Sequence, residues 1–222
     1  APVALRLNGD VAPKTHAKIS TGQRSTKFGV STSQNEAADL YRKMAADPHI
    51  RPAGLAVHIG SQILELDPFE RAYSALLSFG TALRDEGLEV PVLDLGGGIG
   101  VDYQDGTPTD FTAYGELVSR LFADSGFQLG FEPGRSIVAN NGVLLTRVIY
   151  VKDGDNKRFA IVDAAMNDLL RPTLYEAHHD IRPVGPEGAI EGPADIVGPV
   201  CETGDYLGLD RMMPSLAAGD CL

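Results

Sequence analysis

Leu93-Asp94-Leu95-Gly96-Gly97-Gly98-Ile99-Gly100 is the stretch on which the fold turns. The run Val92–Leu95 is brief and mostly apolar, as expected of a strand buried on both faces of a parallel sheet. The glycines directly after it let main-chain N–H groups approach an anion without a Cβ in the way. A tight strand-to-loop turn with no ligand accounts for the same residues. A dinucleotide fingerprint, Gly-x-Gly-x-x-Gly, does not fit: counted from Gly96 and Gly98 its last position is Val101, and from Gly98 and Gly100 it is Tyr103.

The neighbouring runs repeat the pattern. Val3–Leu7, Leu55–His58 and Leu129–Phe131 are short and apolar, and each ends in polar or glycine-rich sequence. Amphipathic helices are expected between them, at the spacing of βα units feeding a parallel sheet. Ser33 followed by Glu36 makes a capping box, with Ala37, Leu40, Tyr41 and Met44 as the buried stripe. Asp67-Pro68 starts a second helix with Phe69, Ala72, Tyr73, Leu76 and Leu77 inward and Gly87 past its end. Asp110 starts a third, with a stripe of Phe111, Tyr114, Leu117, Val118, Leu121 and Phe122, stopped by Gly126.

Two further strand ends carry chemistry. Phe131-Glu132-Pro133-Gly134-Arg135 offers a carboxylate, an open backbone and a guanidinium fork suited to phosphate or carboxylate. In (β/α)8 barrels a phosphate often sits in the loops after the last two strands. His58-Ile59-Gly60-Ser61 ends the strand before, where a flat imidazole can stack on an aromatic cofactor and Ser61 can reach its phosphate. Singly, Glu132 and Arg135 read as surface ion-pair partners and His58 as a structural histidine. Three equipped strand ends in succession favour a site.

From Gly142 the texture changes. Val143–Val151, Phe159–Val162 and Ile196–Val200 are β-rich runs separated by Gly, Pro and Asp, with Asp153-Gly154-Asp155-Asn156 as a hairpin loop. We therefore expect a first domain over 1–141 and an antiparallel β-domain over 142–222. The second contributes Arg171, Tyr175 and the Cys201-Glu202 pair. Packing and an inert buried thiol are the plain readings of these residues, and proton donation by Cys201 is the functional one. His178-His179-Asp180 suggests a metal site, but adjacent histidines on a strand point to opposite faces. No metal is expected.

The 222 residues carry 19 Lys and Arg against 30 Asp and Glu, a net charge of -11 with no basic cluster, which disfavours nucleic acid. No apolar run approaches the roughly 20 residues that span a bilayer, so no membrane partner is expected. Two cysteines, Cys201 and Cys221, form no disulfide framework and suit a reducing compartment, the cytoplasm by default. Ala1 at the start and a turn leading into a strand at Gly219–Leu222 suggest cut ends. Four parallel strands cannot close a barrel, which takes about eight, so either the first domain is a small open sheet or its first half is missing, and the cut ends favour the second.

Five ordered motifs together resemble the barrel-type pyridoxal-phosphate-dependent decarboxylases: His58–Ser61, Gly96–Gly98, Glu132–Arg135, Arg171–Tyr175 and Cys201–Asp205. Thr15-His16, Ser20-Thr21-Gly22 and Lys27-Phe28-Gly29 add to the likeness, which covers nearly the whole chain. The resemblance implies the C-terminal half of a (β/α)8 barrel of alanine-racemase-like topology, part of a β-sandwich, and a homodimer with active sites between subunits. It implies that Gly97, Gly98, Gly134 and Arg135 hold the cofactor phosphate with help from Ser61. By the same resemblance His58 stacks on the pyridine ring, and Glu132 pairs with the pyridine nitrogen and keeps the ring an electron sink.

Within the family the pattern is nearest the branch that converts meso-diaminopimelate to lysine and carbon dioxide. Arg135, Arg171, Tyr175 and Glu202 are then the substrate-binding residues, and Cys201, supplied by the partner subunit, delivers the proton that replaces the carboxylate. The family's cofactor-linking lysine lies N-terminal to everything here, and none of Lys14, Lys18, Lys27, Lys43, Lys152 or Lys157 matches it. The late tyrosine near the cofactor lies beyond Leu222. The chain alone is therefore expected to be inactive. Ornithine, arginine or a carboxylated polyamine such as carboxynorspermidine as substrate, and a non-catalytic regulatory homologue, are the alternatives.

Overall fold

Short apolar strands alternating with one-faced helices bury both faces of a sheet only when the strands run parallel and the helices cover them. In the computed structural model, residues 1–8, 11, 27–32, 35–103, 110–185 and 188–222 are described. Among them, 1–102 with 110–141 form one unit, and 103 with 142–222 form another.

The first unit contains β1 (Pro2–Asn8), β2 (Val30–Ser31), β3 (Arg51–Val57), β4 (Val92–Asp94) and β5 (Gln128–Gly130), in the order β2-β1-β3-β4-β5 and all parallel. Five strands replace the four expected, because β2 is only two residues long and has no period to read. Leu55, Leu93 and Leu95 are fully buried, but β5 is half exposed and Phe131 beyond it is 48% exposed. The expectation of a strand buried on both faces fails there because β5 is the outermost strand of the sheet among the described residues.

Helix α1 (Glu36–Ala46) buries Ala37, Ala38, Tyr41 and Met44. The helix starts at Glu36 itself, after Asn35 in the left-handed region with no side-chain cap, so Glu36 is not the third helical residue that a capping box requires. Ser33, Thr15-His16 and Ser20-Thr21-Gly22 lie outside the described residues. Leu40 faces out at 37% exposure, while the Tyr41 hydroxyl donates to the Glu89 carbonyl at 2.8 Å, burial pushing its phenol up to about 12.

Helix α2 (Asp67–Asp85) carries Pro68 in its first turn and buries Phe69, Ala72, Tyr73, Leu76 and Leu83. Near its end Arg84 donates to the Val90 carbonyl at 3.0 and 2.7 Å and lies 3.4 Å over the Phe127 ring, which ties the helix to the segments flanking β4 and β5. Helix α3 (Phe111–Phe122) is capped by Asp110, whose carboxylate accepts from the Ala113 N–H at 2.9 Å. Leu117, Val118 and Phe122 are buried, whereas Phe111 is 53% exposed in the open first turn. A four-residue helix, α4 (Arg135–Val138), follows β5.

The second unit is a sheet of β6 (Val148–Asp153), β7 (Arg158–Val162), β8 (Ile190–Val197) and β9 (Tyr206–Pro214) in sequence order. The β6–β7 hairpin closes with the Gly154 N–H donating to the Lys157 carbonyl at 2.8 Å. The sheet is mixed rather than antiparallel, since β7 and β8 run parallel. A long connection between them, carrying α5 (Arg171–Tyr175), returns the chain in the same direction, which a hairpin cannot do.

Sequence periodicity missed β9, where Gly208 and Asp210 break the alternation, and it placed the start of β6 too early, since Val143 to Leu145 are exposed. The final Leu222 does pair: it exchanges hydrogen bonds with Thr146 at 3.0 and 2.8 Å beside the start of β6. No helix among the described residues is long and apolar enough to cross a membrane. Each unit has its own apolar core, the first around Leu55, Leu93 and Tyr73, the second around Val148, Ile196 and Met213.

Candidate active site

Parallel strands present their carboxyl ends on one side of the sheet, and polar groups placed there share one rim. In the first unit β3, β4 and β5 deliver His58 with Ser61, the glycine turn, and Glu132 with Gly134 and Arg135 to that rim. Continuing hydrogen bonds lace the ends together: Leu95 N–H to the Gly130 carbonyl at 2.9 Å, and Glu132 N–H to the Gly96 carbonyl at 2.8 Å.

The three glycines are required by this lacing. A methyl group on Gly96 would stand 2.2 Å from the Val57 oxygen, on Gly97 2.1 Å from the Glu132 oxygen, and on Gly98 2.2 Å from the Gly60 oxygen. Gly96 also lies at φ +69°, where other residues are strained. The plain reading, a tight turn, therefore explains the glycines by packing alone. What the packing creates is a rim lined by backbone instead of side chains.

His58 is fixed within that rim. Its Nδ1 accepts the Gly97 N–H at 3.2 Å, which leaves the ring proton on Nε2, and its carbonyl accepts from Arg6 at 3.1 Å. Burial, then the Arg6 charge, lower its pKa against the opposing pull of Glu132 and Asp94. A neutral imidazole results, suited to lying against an aromatic face. Glu132 and Gly134 are exposed, Arg135 opens α4, and a methyl group on Gly134 would meet nothing within 4 Å.

Two residues of the rim carried no sequence expectation. Asp94 accepts the Gly96 N–H at 2.8 Å and so pins the first glycine. Gln62, at φ +62°, donates through its amide to the Val101 carbonyl and accepts the Val101 N–H at 3.2 Å, clamping both main-chain groups of the residue after Gly100. A positive-φ glutamine leaves no periodic trace. Sequence signals therefore marked the polar residues at the strand ends and missed the ones that hold the loop.

In the second unit Arg171, Tyr175, Cys201 and Glu202 belong to two connected segments. Arg171 and Tyr175 bound α5, while Cys201 and Glu202 occupy the turn before β9. Thr173 donates to the Gly204 carbonyl and the Tyr206 hydroxyl to the Pro172 carbonyl at 3.2 Å, joining helix to turn. Asp205, 3% exposed, organises the turn: its carboxylate accepts from the Met166 N–H at 2.6 Å and the Val200 N–H at 2.7 Å.

Cys201 is exposed, contrary to the buried inert thiol, because this turn projects it away from the core. His178 and His179 lie outside any strand. Their side chains meet Arg211 and Arg171, at 2.6 and 2.9 Å, and no metal-binding cluster of His, Cys, Asp and Glu occurs among the described residues.

Residues 1–139 match the family model described as the pyridoxal binding domain of pyridoxal-dependent decarboxylases. The chain belongs to this family. Its relatives include the diaminopimelate decarboxylase of Zymomonas mobilis, 49% identical over all of this chain and 52% of the relative, and that of Neisseria meningitidis, 47% identical over all of this chain and 54% of the relative. Among solved structures, diaminopimelate decarboxylase from Helicobacter pylori complexed with L-lysine superposes with a TM-score of 0.93 at 39% identity, over all of this chain and 55% of that one. The chain thus spans about half the length of the family members it matches. The parallel sheet of the first unit is the pyridoxal-binding fold of these decarboxylases, and the mixed sheet follows it.

Proposed function

We propose that the whole protein decarboxylates meso-diaminopimelate to L-lysine and carbon dioxide with pyridoxal phosphate as cofactor. The single observation that carries this reading is the match of this chain, over all of its length and about half of theirs, to diaminopimelate decarboxylases, with 49% identity to that of Zymomonas mobilis. The donor set fits the cofactor. A rim of backbone at Gly98 and Gly134, with the Gly97 N–H given to His58, a guanidinium at Arg135, a hydroxyl at Ser61 and a neutral imidazole at His58 suit a dianionic phosphate on a flat ring.

When bound, the cofactor supplies an electron sink for the pair left as carbon dioxide departs. The chain's own residues do the rest. Glu132 would accept a hydrogen bond from the pyridine nitrogen and hold the proton there. His58, with its own proton on Nε2, would offer its face to the ring. Arg171 and Arg135 bind carboxylate, Tyr175 adds a hydroxyl, and Glu202 receives the substrate ammonium. Cys201 donates the proton from Sγ that replaces the lost carboxylate, and in a homodimer with shared sites it comes from the partner subunit. A cytoplasmic location accompanies a biosynthetic role of this kind. The lysine that anchors the cofactor is assigned outside these 222 residues.

The test uses the full-length protein. Borohydride reduction and peptide mapping should trap the cofactor on a lysine outside this segment, and carbon dioxide should be released from meso-diaminopimelate but not from ornithine. Trapping on a lysine within the segment, or preference for ornithine, would overturn the proposal.

A further inference from the structure

We propose that His179 and Tyr103 are positioning residues for Arg171, orienting its guanidinium toward the substrate carboxylate that the product retains. This inference rests on the substrate role given to Arg171 above. A free arginine side chain carries about 2 kcal/mol of rotamer entropy, and a site that has already fixed its fork avoids losing that on binding. All three residues belong to the second unit.

The Arg171 guanidinium lies over the Tyr103 ring, 5.0 Å from its centroid, and one of its terminal nitrogens is 2.9 Å from His179 Nε2. Tyr103 and His179 also meet edge to face at 5.0 Å between centroids, so the two rings brace each other as well as the arginine. All three side chains are half-buried. An arginine donates at every nitrogen and accepts at none, so His179 must present a bare Nε2 and carry its proton on Nδ1. The ring face of Tyr103 supplies the negative side of its quadrupole to the cation.

His179 and Tyr103 act on the substrate through Arg171, which separates their effect from a general loss of structure. L-Lysine, the product, keeps the carboxylate that Arg171 is assigned to hold. Cadaverine has the same two amines and no carboxylate. In the purified full-length holoenzyme, His179→Leu should raise the KM for meso-diaminopimelate and the Ki of L-lysine about tenfold, in line with loss of a charged hydrogen bond, with kcat changed less than about threefold. The Ki of cadaverine should stay within about twofold of the parent value. His179→Gln places an acceptor near the Nε2 position and should recover most of the lysine affinity. Tyr103→Phe keeps the ring and should resemble the parent, whereas Tyr103→Leu should follow His179→Leu.

An active parent whose lysine Ki is untouched by His179→Leu, or a cadaverine Ki that rises in parallel, overturns the inference and leaves the decarboxylase reading standing. A parent that releases no carbon dioxide from meso-diaminopimelate overturns both.

Discussion

His58 shows how one side chain is specified by backbone it does not own. Gly97 donates into Nδ1 and burial lowers the imidazole pKa, so the folded chain holds the ring neutral. The sign follows. A histidine with a folded pKa below its unfolded value of about 6.5 leaves stability unaffected above that pH, where neither state is protonated. As pH falls below it the unfolded state binds protons first, and stability declines until the folded pKa is reached. Urea denaturation at about pH 7.5 and about pH 5.5 should show a smaller loss for His58→Gln than for the parent, and equal losses would remove His58 as the cause. Sequence placed His58, Ser61, Glu132 and Arg135 at strand ends because polar residues after apolar runs are conspicuous. It gave no role to Gln62, Asp94 or Asp205, whose partners are main-chain groups, some of them 39 residues away.

Elements show the same division between what a pattern reveals and what it hides. Helices α2 and α3 were legible from their stripes and starts, because 3.6-residue periodicity survives in any one sequence. The parallel pairing of β7 with β8 was not, since strand direction depends on the path of the connection and no residue in either strand encodes it. The Gly198–Asp205 turn owes its shape to one buried carboxylate. Asp205→Ala would remove the charged acceptor of two half-buried hydrogen bonds, from the Met166 and Val200 N–H groups, each worth about 1–3 kcal/mol at most. We expect a denaturation midpoint lowered accordingly, and hydrogen exchange at Met166 and Val200 accelerated by at least about tenfold. Unchanged protection at both amides would show that Asp205 does not hold the turn.

At the scale of the whole molecule, two apolar clusters with no residue in common support the two units. Leu93 and Ile196 are both fully buried, one in each cluster. Leu93→Ala and Ile196→Ala should each cost about 2–5 kcal/mol. Exchange mass spectrometry should find the lost protection confined to the unit that carries the change, with β3 to β5 affected by the first and β6 to β9 by the second. Loss spread evenly over both would contradict separate cores. The fold class was readable from composition and spacing because alternating strands and helices leave a long-range rhythm. The exposed flank of β5 was not, as burial on both faces was inferred from three apolar residues alone.

The crowding around the glycine turn changes what mutagenesis there can report. Carbonyl oxygens of Val57, Glu132 and Gly60 occupy the space that any side chain at Gly96, Gly97 or Gly98 would claim. An alanine scan across the triplet would first record the separation of three strand ends, and a lost cofactor would follow as a symptom. Binding assays on such variants would therefore assign to phosphate recognition an energy that belongs to packing. The contribution of these residues to cofactor affinity has to be read by altering the cofactor, for instance by comparing pyridoxal with its phosphate, while the glycines stay as they are.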